Sequence, residues 1–248
     1  MLIDIWTIIW KEWQEILHQR GTICTTVLNQ FFLVLLVSIA LCLQAGHEWF
    51  QTASLQLWYL LPLLLVTTII PDSFAGERER HTLATLLASR LSESAILLGK
   101  IGAAVSYACG LTLIASLLSM VIVNITNWDG VFHFYSISIL GIGISIGLLT
   151  AMLIASIGVF FSLRAATVRQ AQQSLGLAIF LLVTLPLIGL NVGLFLLPMD
   201  WRASLAITLN TVSLTHAIAI AALFLVGFDI ILVLAALKRF KRTQLLLD

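Results

Sequence analysis

Charge is scarce in this sequence: 13 Lys and Arg and 12 Asp and Glu among 248 residues, 10% of the chain. Soluble globular domains carry about 25% charged residues, so this composition excludes an ordinary water-soluble fold. The formal net charge of +1 leaves no electrostatic footprint for nucleic acid. Cysteine is sparser still. Cys24, Cys42 and Cys109 are odd in number and lie in or beside apolar runs, which excludes a disulfide framework and a cysteine metal cluster. The five histidines, His18, His47, His81, His133 and His216, are scattered without HExxH spacing, so no dedicated metal centre is expected. A phosphate-binding loop is missing too: Gly99-Lys100 is followed by Ile101 and lacks the upstream glycine, so the chain is expected to hold no ATPase of its own. Residues 1 to 21 lack a basic leader, because Asp4, Glu12 and Glu15 interrupt it, and the first apolar run is expected to stay as a span.

What is abundant is apolar surface, 60% of all residues, with a mean hydropathy of +1.06. A hydrocarbon layer of roughly 30 Å is crossed by about 20 helical residues. Six stretches qualify, near 22–43, 55–74, 97–123, 135–162, 172–197 and 214–237, which predicts an all-α integral membrane protein in one transmembrane domain over 1–248. Internal Gly and Pro, such as Pro62, Pro186, Gly143 and Gly147, do not argue against helix there, since neighbouring spans can satisfy the freed backbone groups. Positive charge sets orientation. Twelve of the 13 Lys and Arg lie in the N-terminal segment, the loops after the second and fourth spans, and the tail; only Arg202 lies on the other side. Both termini are therefore expected in the cytoplasm, with short outer loops near 44–54, 124–134 and 198–213.

Two segments are amphipathic without being spans. Residues 4–20, DIWTIIWKEWQEILHQR, place Trp6, Trp10, Trp13 and Leu17 on one helical face and Lys11, Glu15 and His18 on another. Such a helix lies in the membrane interface, touching the lipid bilayer with tryptophans at headgroup depth. The loop 75–94, AGERERHTLATLLASRLSES, predicts a short helix with Glu77 and Glu79 at its start and Arg90 at its end, matching the helix dipole. Leu83, Leu86 and Leu87 form an apolar stripe along it, and Ser92 before Glu93 reads as the N-cap of the next helix.

At this loop the sequence resembles the permease subunits of type-2 ATP-binding-cassette exporters, in which a segment of the form GERERGTLETLLATPLSRSEILLGK joins the second and third spans. Here Gly76, Glu77, Arg78, Glu79, Arg80, Thr82, Leu83, Leu86, Leu87, Leu91, Ser92, Glu93, Gly99 and Lys100 follow it; His81 stands where the family usually has Gly, and Ala88-Ser89 where Thr-Pro is common. KEWQEILHQR is similar to the family pattern K-E-x-x-E-I-x-x-x-R through Lys11, Glu12, Glu15, Ile16 and Arg20. The resemblance implies that 75–91 is a coupling helix docking into a separate cytoplasmic ATPase, which would hold the ATP and Mg. It implies that Glu77, Arg78, Glu79, Arg80, Leu83 and Leu86 face that ATPase, and that two permease subunits, alike or unlike, pair around a substrate path in the cytoplasmic membrane.

Other readings compete at single positions. Gly143, Ser145 and Gly147 spell G-x-S-x-G and could be paired with His216 as in a rhomboid-like intramembrane protease. Ser145 lies about ten residues into its span and His216 only two or three, so the two would be offset in depth, and glycines at this spacing serve close helix packing. Asp229 is an acid well inside a span, either a proton or cation ligand on a transport path or a structural partner of a nearby base. Residues 198–213, with Trp201 and Arg202, are expected to form a broken or re-entrant outer segment. The alternative to the exporter is an ATP-independent channel or assembly factor of similar layout, and the substrate itself is not legible.

Overall fold

The computed structural model describes residues 2–18, 22–51, 53–82, 90–196 and 214–239. Seven helices and no strand occur among them: α1 Leu2–His18, α2 Thr22–Ala45, α3 Leu55–Glu79, α4 Glu93–Thr126, α5 Ile137–Ser162, α6 Val168–Leu196 and α7 Leu214–Arg239. By length and composition three of them, α3, α4 and α5, are long and apolar enough to cross a bilayer, and Gln30–Ala45 of α2 is a shorter apolar helix. Leu83, Leu86, Leu87, Trp201 and Arg202 lie outside the described residues, and with them the central turn of the coupling segment and the expected re-entrant segment.

Glycine decides how closely the central helices approach. α3 packs most extensively against α5, where Gly143 and Gly147 receive the fully buried Trp58 and Gly158 receives Ile70. A Cβ on Gly143 would stand 2.7 Å from Trp58 Cδ1, and one on Gly158 2.8 Å from Ile70 Cγ2. Without a hydrophobic force between helices in lipid, such small-residue contacts supply the packing that holds a bundle together. The glycines of the G-x-S-x-G string are therefore packing residues, and Ser145 Oγ donates back to the Gly141 carbonyl of its own helix at 2.8 Å.

α3 does not run evenly to its end. Asp72–Gly76 widens into a π-turn, and its cause is a side chain in the helix ladder. Ser162 Oγ accepts from the Ala75 N–H at 3.2 Å and donates to the Pro71 carbonyl at 3.4 Å, bridging two groups that an α-helix would join directly. The π-turn packs against α5 and the start of α6, and the last turn, Glu77–Glu79, follows it.

At the far end of the bundle the connections are short. Trp49 Nε1 donates to the Tyr135 hydroxyl at 2.7 Å, which donates to the Ser116 carbonyl at 3.1 Å, while Asn124 pairs with both backbone groups of His133. These bonds tie the 3-10 turn Gly46–Phe50 and the approach to α5 onto α4.

Candidate functional site

α1 is a helix as its pattern predicts, but the face it buries is not the tryptophan face. Trp6 and Trp10 are exposed, whereas Ile8 and Glu12 are buried against α4. Gly99 makes the seat: a Cβ there would meet Ile8 Cβ at 2.7 Å and the Ile5 carbonyl at 3.3 Å. Trp13 lies at the border and donates its indole N–H to Ser106 Oγ at 3.1 Å. Its sequence pattern divides the helix between lipid and water. The structure adds a third face, against protein.

That seat carries an ion cluster. Lys100, one residue past Gly99, is 1% exposed, and its ammonium reaches Glu12 Oε1 of α1 at 2.8 Å, Glu77 Oε1 of α3 at 3.1 Å and the Ser73 carbonyl at 2.8 Å. Two of its three donors go into hydrogen bonds, to Glu12 and the Ser73 carbonyl, and Glu77 is held as an ion pair. The Phe74 ring lies beneath it, 5.4 Å from centroid to Nζ. Ser73 Oγ donates to the other oxygen of Glu12 at 2.7 Å. Lys11, half-exposed, adds contacts to Glu77 at 3.2 Å and Glu15 at 3.1 Å. Burial pulls the Lys11 ammonium down, but the Glu15 hydrogen bond and the attraction of Glu77, Glu12 and Glu15 outweigh it and leave its pKa raised. Glu12, Glu15 and Glu77 lie close enough together to suggest a cation site. Two lysine ammonium groups already occupy that position.

Three sequence segments thus meet at one point: KExxE on α1, GERER at the end of α3, and the Gly-Lys of α4. The resemblance marks all three strings, yet it gives no hint that they bind one another, and Glu12 and Lys100 were not among the expected site residues. Glu77 was expected to face outward. Its carboxylate is instead turned inward, 6% exposed, with Oε2 lacking any hydrogen-bond partner.

The remaining charges of GERER brace the turn. Arg78 Nη1 donates to the Ala165 carbonyl at 3.3 Å, and Arg80 pairs with Asp72 at 3.3 Å. Glu79 Oε2 accepts from the Val168 N–H at 3.1 Å, placing a carboxylate at the N-terminus of α6, where the helix dipole favours it. Glu79 and Arg80 stay exposed and Arg78 partly so. The short helix expected to run from Glu77 to Arg90 does not continue unbroken through Arg80–Thr82. The helix ends at Glu79, with His81 N–H donating to the Arg78 carbonyl at 3.0 Å and Thr82 N–H to the Glu77 carbonyl at 2.9 Å. This pair of bonds is a Schellman cap, which calls for a left-handed residue at the position His81 occupies. His81 indeed has φ +58°. Glycine adopts that conformation without the steric cost a Cβ brings. His81→Gly is accordingly expected to stabilise the protein by about 1 kcal/mol, read as a rise in its melting temperature in detergent. An unchanged or lower melting temperature contradicts the cap assignment. Ser92 then caps α4, accepting from Ala95 N–H at 3.3 Å as its sequence suggests.

Asp229 sits apart from this cluster, on the face of α7 toward α5, 4% exposed. Neither carboxylate oxygen has a hydrogen-bond partner, so among the described residues no base answers the expectation of a structural pairing.

Helices long and apolar enough to cross a membrane, an amphipathic helix seated on one of them and a charged turn at one end of the bundle define a multi-pass membrane protein. The family model for ABC-2 type transporters matches residues 3–186, and the chain belongs to that family. It is also similar to the ABC transporter permease protein NatB of Bacillus subtilis (strain 168), 28% identical over 141 residues. That match covers 52% of this chain and 36% of the relative, so the chain spans about a third of the protein it resembles. The family is one of membrane transport components.

Proposed function

We propose that this chain is the membrane-spanning subunit of an ATP-driven exporter, with six spans, both termini in the cytoplasm, and a second permease subunit as its partner in the membrane. A separate cytoplasmic ATPase supplies ATP and Mg and docks against the segment 75–91. One observation carries the reading: the buried Lys100 joins α1, the end of α3 and the start of α4 by short ion pairs at the point from which that segment leaves. A docking loop can transmit force only if its base is rigid, and a buried network of ion pairs and hydrogen bonds supplies such rigidity. Glu77 serves this base from within, while Arg78, Glu79, Arg80 and the leucines Leu83 and Leu86 are left to contact the ATPase as a helix-in-groove docking element.

The test is co-purification with the candidate ATPase in nanodiscs, comparing the wild type with Arg80→Glu plus Leu83→Ala. Reversal of a charge and loss of an apolar anchor are expected to weaken the complex by at least about tenfold. Undiminished binding by the double variant would reject the docking assignment. Failure of the folded wild type to bind would favour the ATP-independent channel or assembly factor.

A further inference from the structure

The seam between α5 and α7 holds two features that the exporter reading does not use. The first is Asp229, buried with both oxygens unpartnered. α5, the helix packed most extensively on α7, carries no ionisable side chain between Ile137 and Ser162, so no counter-charge comes from that side. On α4, which touches α7 more lightly, the charged groups are Glu93 and Lys100, and Lys100 is held by Glu12 and Glu77. On α7 itself Lys238 is nine positions away and exposed.

The second feature is a cleft of about 370 Å³ toward the other end of the same seam, lined by Ser138, Gly141, Ser145, Ile146 and Ala222 among others. Its walls are almost wholly apolar, and the Ser145 hydroxyl is turned back onto Gly141. Ala222 lies seven residues before Asp229, which puts both on one face of α7, about 10 Å apart along the axis.

We propose that this seam binds a cation with an apolar body, a lipophilic ammonium or phosphonium, whose body occupies the cleft and whose charge is met by the Asp229 carboxylate. An unpaired carboxylate in an apolar interior is costly, and a cation reaching it along the seam removes that cost. A small inorganic cation would have to exchange its water for about six oxygen ligands. The cleft offers mainly hydrocarbon, which suits a cation that carries its own apolar shell. The proposal rests on the exporter reading for transport and names its substrate class; binding itself needs no ATPase.

The experiment is equilibrium binding of tetraphenylphosphonium to the full chain in nanodiscs, without ATPase, so that a failure of coupling cannot imitate a failure of binding. The wild type is expected to bind saturably, and Asp229→Asn to bind at least about tenfold more weakly. Gly141→Leu is expected to block the cleft, because a Cβ at Gly141 meets nothing within 4 Å and the variant has room to fold; it decides the matter alone should the Asn variant not fold. No binding by the wild type, equal binding by Asp229→Asn, or undiminished binding by Gly141→Leu overturns the proposal. So does displacement of the probe by sodium or potassium at constant ionic strength, which would assign the carboxylate to an inorganic ion.

Discussion

Lys100→Met is expected to destabilise the protein by about 3 to 5 kcal/mol, the effect of removing one partner from a buried ion cluster. Methionine nearly matches lysine in length, so the packing over Phe74 is kept and the change isolates the charge. Glu12 and Glu77, 4% and 6% exposed, would be left with only the half-exposed Lys11 between them. Their desolvation cost would remain while most of the attraction that offsets it disappears. At the size of this chain the loss corresponds to a fall of about 10 °C in melting temperature. Adding Glu12→Gln to Lys100→Met should recover part of that loss, because one uncompensated charge is removed with it, and the two changes should be strongly non-additive. A fall of less than about 1 kcal/mol in the single variant would mean that the cluster is surface-like in energy and cannot serve as a rigid base.

The second large effect is expected at Gly143. Gly143→Leu should cost about 3 kcal/mol or more, since overpacking at a tight contact forces side chains or backbone to move. Here the neighbour cannot yield: the Cβ would lie 2.7 to 2.9 Å from three atoms of the Trp58 ring, and Trp58 is itself 2% exposed. Gly141, two residues earlier on the same helix, is the control. A Cβ there touches nothing, so Gly141→Leu should change stability by no more than about 0.5 kcal/mol. Thermal unfolding of the two variants in one detergent gives the comparison. Equal losses would show that the α3–α5 contact does not depend on glycine at this point.

The helical class and the amphipathic leader were legible in the sequence because each rests on a periodicity or a length that local residues determine. Ser92 as a cap was equally legible, since capping is a contact over three residues. The ion cluster was not. Lys100 and Glu12 are 88 positions apart, and a lysine at the head of an apolar helix reads as a marker of orientation until the helix that covers it is known. The inward turn of Glu77 is hidden for the same reason: as the first acid of GERER it looks like a surface charge, and only the lysines of α1 and α4 that hold it show otherwise. His81 shows the opposite case. Its standing in place of glycine was visible in the sequence, and the structure supplies the reason the position favours glycine, a left-handed cap residue.

The central claim is that this permease couples to an ATPase through the charged turn seated on the Lys100 cluster. It is tested most directly by ATP hydrolysis of the candidate ATPase reconstituted with this chain in nanodiscs, with and without Arg80→Glu plus Leu83→Ala. The account predicts a hydrolysis rate that depends on the wild-type permease and loses that dependence in the double variant. A rate indifferent to the presence of the folded wild-type chain would contradict it.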